Sequence, residues 1–207
     1  MIGDNRNEQE SFSLELTYNY GINDYLRGND LRYIAMRKDR FQGDPWQIVE
    51  SEDGKSNFLQ TSDGYWILLV DVPDGKSSLS AILFISLHVT DIQESIDFYT
   101  IALNAKVIPQ DSDDFPQGAL KSIDNNIKSV VLNFDSNEDP SQKGKGVYIE
   151  LVELPKGQEL RRGEAFGRLA IETEDNAAMG VSEALSRYKP TSRGKILINH
   201  KQTHEMK

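Results

Sequence analysis

The sequence predicts an α+β protein assembled from two copies of one strand-rich unit, and three observations lead there. Leu14-Glu15-Leu16 returns as Ile149-Glu150-Leu151, Arg27-Gly28 as Arg162-Gly163, and Ile34-Ala35 as Leu169-Ala170, each at an offset of 135 residues (Leu14 to Ile149). Three anchors kept in one phase point to an internal repeat, since a chance match would share one tripeptide at most. Alternation of apolar and polar residues dominates the chain, which is the mark of half-buried strands. The stretch from Ile82 to Leu154 reads strand, helix, strand, strand, strand. The first copy starts almost at Met1 and little chain follows the second, so both copies are expected to be cut short.

In the first half, Ser11 to Tyr20 alternates with Thr and Tyr enrichment and predicts a strand. Asn19 to Asp30 holds Gly21, Asn23, Gly28 and Asn29 and predicts a loop. Leu31 to Arg37 is a short strand, Gln47 to Glu52 and Phe58 to Gln60 are weaker ones around an Asp53-Gly54 turn, and Tyr65 to Val70 is the most apolar. Pro73 to Ser80 collects Pro, Gly and serines and predicts a linker. The expected division is therefore 1–73 for the end of a first domain, 74–80 for the linker and 81–207 for a second domain.

The second half is clearer. Ile82 to Val89 predicts a strand, and Thr90-Asp91 offers an N-cap. Ile92, Ser95, Ile96, Tyr99 and Leu103 follow at helical spacing, and Asn104 supplies a stop. Strands are expected at Lys106 to Ile108, Lys128 to Phe134, Val147 to Leu154, Phe166 to Glu172 and Lys195 to Ile198, with a second helix over Asn176 to Tyr188.

Composition removes several functions. A formal charge of −10 would repel a nucleic-acid backbone or an anionic membrane. With no cysteine, disulfides, thiolate metal sites and cysteine nucleophiles are excluded. The N-terminal ten residues lack an apolar run and basic amphipathic character, and the longest apolar runs are strand-sized. The expectation is an intracellular protein, cytoplasmic or mitochondrial, without nucleic-acid or membrane partners.

The segment from Leu83 to Tyr99 (Leu-Phe-Ile-Ser-Leu-His-Val-Thr-Asp-Ile-Gln-Glu-Ser-Ile-Asp-Phe-Tyr) resembles the opening βα unit of the glyoxalase I, or vicinal oxygen chelate, superfamily. Leu14 to Gly21 followed by Gly28 is similar to the glutamate-bearing strand and loop of glyoxalase I, and Ser62-Asp63-Gly64-Tyr65-Trp66-Ile67 looks like the family's turn into its last strand. The resemblance covers nearly all of the chain except the last dozen residues. It implies tandem domains, each of two βαβββ modules curling into a cup, with His and Glu side chains holding a divalent metal. Zinc or nickel bound this way keeps positions open for chemistry on a hemithioacetal.

Mapped onto the resemblance, the ligand positions are largely lost. The glutamate is present twice, as Glu15 and Glu150, which are the vestigial metal positions. The first-strand histidine falls on Phe84, the second on Tyr33 or Arg168, and the last-strand glutamate on Leu68. Modules paired across the domains would gather Phe84, Glu150, Tyr33 and Leu68 in one cup with a single carboxylate, so the family's zinc or nickel is not expected to be retained. The plain alternative for Glu15 and Glu150 is an exposed strand residue. Arg168 could meet Glu150 or lie on the surface. His88 shares a strand face with Phe84 and could reach the rim, although a lone histidine on a strand is usually structural, while His200 and His204-Glu205 belong to a polar tail whose order does not fit a zinc motif.

The expected function is a glyoxalase-like protein with a degenerate metal site that binds a small molecule or a protein partner without catalysis. The alternatives are a lactoylglutathione lyase-type metal-dependent enzyme and a truncated product without independent function. Open sheet edges in such a cut-short fold make self-association an expectation.

Overall fold

Ile82 to Leu154 folds in the order its pattern predicts, and the ends of the helix show why. A computed structural model describes residues 2–3, 13–14, 20–22, 24–41, 48–50, 57–72, 80–116, 118–119, 127–134 and 147–164. Strands β1 (Ile2–Gly3), β2 (Ser13–Leu14), β3 (Leu31–Arg37), β4 (Ile48–Glu50), β5 (Asn57–Gln60) and β6 (Trp66–Val70) precede β7 (Ile82–Val89). Helix α1 (Ile92–Leu103) follows, and then β8 (Lys106–Ile108), β9 (Ser129–Asn133) and β10 (Tyr148–Glu153). The Asp91 carboxylate caps α1 by accepting the Glu94 N–H at 2.9 Å. Asn104 adopts φ 55°, and the Ala105 N–H returns to the Tyr99 carbonyl at 3.0 Å, which ends the helix. Glu153 pins the helix start to the end of β10, accepting the Ile92 N–H at 3.1 Å and the Lys128 ammonium at 2.7 Å.

Among the described residues, eight strands form one sheet in the order β4-β5-β6-β3-β7-β10-β9-β8. Its centre is the antiparallel pair β3–β7, flanked by the parallel pairs β3–β6 and β7–β10. The order is symmetric about that seam: from either central strand outward come the fourth, third and second strands of its own half. From β7 to β10 the chain is a βαβββ module. The other half lacks an equivalent described helix, and residues 38–47 between β3 and β4 include only a 3-10 turn at Lys38–Arg40 among those described.

Alternation sorts the side chains onto two faces. Helix α1 covers Leu87, Leu132, Ile149 and Leu151, with Tyr99 packed among them. The opposite face carries Tyr33, Ala35, Leu68, Val70, Phe84, Val131 and Tyr148. Residues after β8 lie over this second face: Phe115 and Ala119 pack against it, and a Cβ at Gly118 would meet Val70 and Leu68 side chains at 2.9 and 3.3 Å.

Two features were not expected. Ile2 pairs with Leu14 in a separate β1–β2 ladder. A β-bulge interrupts β3, where Leu31 pairs with Leu87 but Tyr33 with Ser86, leaving Arg32 as the extra residue. Of the predicted elements, the Asp53-Gly54 turn, most of the 74–80 linker, residues 11–12 and 15–19 of the Ser11–Tyr20 strand and everything after Glu164 lie outside the described residues, while Tyr20 itself sits in a turn. No described helix is long and apolar enough to cross a membrane.

The two repeated Arg-Gly pairs meet each other in space. The Asn29 N–H donates to the Arg161 carbonyl at 2.8 Å, and the Glu164 N–H donates to the Leu26 carbonyl at 2.7 Å. Asn29 reinforces the crossing, its side-chain oxygen accepting the Arg161 N–H at 2.7 Å and its amide donating to the Glu159 carbonyl at 3.0 Å. A Cβ on Gly28 would collide with Arg161 and Gly163 backbone, and one on Gly163 with Gly28 and Leu26 backbone. Glycine at both positions lets the two loops approach at backbone distance.

Candidate functional site

Glu150 sits at the middle of β10 and is wholly buried, on the face opposite α1. An isolated carboxylate there would be costly, so its partners decide what the site is. Pairing places Glu150 beside Ser86 on β7, and Ser86 lies opposite Tyr33 on β3. The Ser86 hydroxyl donates a short hydrogen bond to Glu150 Oε2. The Tyr33 hydroxyl donates to the same oxygen at 2.8 Å, and Arg32 Nη1 reaches it at 3.1 Å. Arg32 Nη1 also donates to Ser86 Oγ at 2.9 Å, and its guanidinium lies over the Tyr33 ring at 5.0 Å.

Beside this cluster the described residues form an apolar wall. The Tyr33 ring meets Phe58 and Phe84 edge-on at 5.5 and 6.1 Å between centroids, and Leu68 and Val70 complete that wall. Burial, then the Glu150 carboxylate beside it, pushes the Tyr33 phenol well above the ordinary tyrosine range, against the pull of Arg32. At neutral pH the phenol is protonated and donates to Glu150. Phe84, Ser86 and His88 alternate onto one face of β7. His88 Nδ1 donates to the Asn29 carbonyl at 2.6 Å, and the His88 N–H donates to Asp30 O at 2.8 Å. His88 thus fastens the crossed loops to the edge of the cluster. Burial pulls its pKa below the ordinary imidazole value.

Four expected positions, Tyr33, Leu68, Phe84 and Glu150, converge on this face. Glu15 and Arg168 lie outside the described residues, as do His200 and His204. Two members were missed. Ser86 follows from the same two-residue step that links Phe84 to His88. Arg32 does not follow from alternation, which puts it on the face away from Tyr33; the bulge turns both side chains to one side.

The donor set does not fit a divalent ion. Phe84 and Leu68 offer no lone pair, the Tyr33 phenol stays protonated, and Glu150 Oε2 already accepts three hydrogen bonds. Among the described residues no group of three His, Cys, Asp or Glu is arranged to hold a metal.

A profile of the Glyoxalase/Bleomycin resistance protein/Dioxygenase superfamily matches residues 81–180. Glyoxalase domain-containing protein 4 of Mus musculus is 30% identical over 110 residues, which is 51% of this chain and 36% of that protein. Lactoylglutathione lyase of Oryza sativa subsp. japonica is 26% identical over 208 residues, covering 92% of this chain and 63% of that enzyme. The crystal structure of glyoxalase I from Zea mays superposes with a TM-score of 0.57 at 23% identity, over 82% of this chain and 59% of that one. The chain thus spans between about a third and two thirds of these relatives' length.

Proposed function

Through residues 81–180 the chain belongs to the Glyoxalase/Bleomycin resistance protein/Dioxygenase superfamily, and on that premise we propose that it is a binding module rather than a metal-dependent enzyme. One observation carries this reading: the buried Glu150 oxygen is engaged by Arg32, Tyr33 and Ser86, with Phe84 and Leu68 as apolar neighbours. In this reading Glu15 and Glu150 are vestiges of two ligand sets, one in each of two tandem domains (1–73 and 81–207, joined by 74–80). The module of β7 to β10 shares its sheet with the half from β3 to β6, where no equivalent helix occurs among the described residues. Phe115 and Ala119 pack on this face and Gly118 lies against Val70 and Leu68, so in this reading a small molecule or a protein partner is taken at the opposite rim, beside Arg32 and His88.

The match to rice lactoylglutathione lyase over 92% of this chain favours a second reading, a metal-dependent isomerase. The enediolate of that chemistry needs a cation for its charge, and losing such electrostatic stabilisation typically costs about 10²-fold or more in rate. Elemental analysis of the purified chain and a glyoxalase assay titrated with zinc and nickel separate the two. We expect substoichiometric metal and no isomerisation of the methylglyoxal–glutathione hemithioacetal. Metal-dependent turnover abolished by Glu150→Gln would falsify the binding-module reading.

A further inference from the structure

We propose that the outer edge of Arg32 is a ligand anchor: its Nε and Nη2 take the carboxylate of a small monocarboxylic acid whose apolar body lies against Trp66. The inference rests on the binding-module reading above and names the class of ligand taken at that rim. The hydrogen bonds of Arg32 leave from Nη1, to Glu150 Oε2 at 3.1 Å and to Ser86 Oγ at 2.9 Å, and the guanidinium lies over the Tyr33 ring at 5.0 Å. Its position and tilt are thereby set before any ligand arrives, which lowers the entropy cost of binding one. Nε and Nη2 make no hydrogen bond among the described residues. They are not sealed in either. Among the described residues, the side-chain nitrogen or oxygen that is both buried and unbonded is Ser80 Oγ, and 20% of the Arg32 side-chain surface is open. The N–H groups of Nε and Nη2 run parallel, which is the fork that a carboxylate meets with both of its oxygens.

The apolar half of the site comes from β6. Trp66 stands one step before the parallel Ile34–Ile67 pair, beside Tyr33, and alternation puts it on the Tyr33 face with Leu68 and Val70. Its indole meets Phe58 edge-on at 6.3 Å, and Phe58 meets Tyr33 at 5.5 Å. Aromatic surface therefore continues from beneath the guanidinium to an indole that is 37% exposed. Charge then selects among anions. The arriving group shares one guanidinium with Glu150, and a second negative charge on it would add repulsion that the apolar wall screens poorly. A monocarboxylate fits that setting better than a phosphate.

Trp46 and Trp66 are the two tryptophans of the chain, so Trp46→Phe leaves Trp66 as its sole indole and its fluorescence as a reporter. The full chain carrying Trp46→Phe is titrated with benzoate, benzamide, acetate and inorganic phosphate, with and without Arg32→Lys. Calorimetry follows benzoate and acetate in Trp66→Ala, and circular dichroism checks the fold of every variant. Benzoate should change the Trp66 emission saturably, and benzamide, its neutral isostere, should not. Acetate and phosphate should each bind roughly tenfold or more weaker than benzoate. Arg32→Lys keeps a cation beside Glu150 but loses the fork, and should weaken benzoate by about tenfold or more. Trp66→Ala, which removes a partly exposed side chain, should bring benzoate down to the level of acetate and tests the site even where Arg32→Lys does not fold. The proposal is overturned by no saturable response to benzoate, by equal binding of benzoate and benzamide, by phosphate binding as tightly as benzoate, or by unchanged benzoate binding in Arg32→Lys. Any of these would leave a metal-free, inactive chain still a binding module, whereas metal-dependent turnover would sink that reading whatever benzoate does.

Discussion

Two residues of β7, Ser86 and His88, do different work from neighbouring positions on one face. Ser86 helps hold a carboxylate inside the fold, and His88 holds a loop on the outside of it. The loop contact has a pH consequence. His88 has a folded pKa depressed below the ordinary 6.5, mainly through burial. Above that value the imidazole is neutral in both folded and unfolded chains, and its contribution to stability is complete. As the pH falls below 6.5, the unfolded chain takes up a proton that the folded chain resists, so stability declines until folded His88 titrates in turn. The wild type should therefore lose more melting temperature than His88→Gln between about pH 7.5 and pH 5.5. Equal losses in the two chains would remove His88 from the account. Neutral His88 uses its Nδ1 proton on the Asn29 carbonyl, so the tautomer is set by the loop it fastens.

At the scale of elements, legibility followed how local the deciding interaction was. Helix α1 was readable from end to end because its cap, its apolar stripe and its Asn104 stop all lie within its own sequence. Strands β3, β7 and β8 were readable with their bounds because period-two alternation and turn residues are local too. The bulge was not, since it depends on how Leu31 and Tyr33 register against Leu87 and Ser86 far along the chain. With it went Arg32, the side chain that completes the Glu150 cluster. The burial of Glu150 depends on the same long-range pairing: alternation tells which residues share a face, not which face is covered. The repeated Arg-Gly pairs show the opposite case. Their 135-residue spacing (Arg27 to Arg162) was visible, while their contact was not. That contact tolerates no side chain, so Gly28→Ala should cost roughly 1–3 kcal/mol, the usual range for overpacking. Urea denaturation measures it, and an unchanged midpoint would mean that the loop crossing adds nothing to stability.

At the scale of the whole described structure, the larger sheet is organised around the β3–β7 seam, which joins residues on either side of the expected linker. The ladder runs from Leu31–Leu87 to Met36–Ile82, and the Glu150 cluster is built across it: Arg32 and Tyr33 come from one half, Ser86 and Glu150 from the other. Neither half holds the cluster alone. Residues 81–207 expressed without the preceding segment would keep the βαβββ module but lose the neighbour that occupies one edge of β7. That edge would present unpaired N–H and C=O groups at what is now the centre of an eight-stranded sheet. Phe84, fully buried at the seam, would lose Tyr33 and Ala35 from its surroundings, and Glu150 would lose its guanidinium. The net charge of −10 opposes association of the intact chain, but it acts at long range and is screened by salt, whereas strand pairing is local. The shortened chain should therefore self-associate in size-exclusion chromatography with light scattering, more so as salt is raised, under conditions where the full chain elutes as a smaller species. Adding the separately produced 1–80 segment should return it toward that smaller species by re-covering β7. A shortened chain that stays monomeric and melts with the full one would show that the module is complete by itself and that the seam contributes no stability.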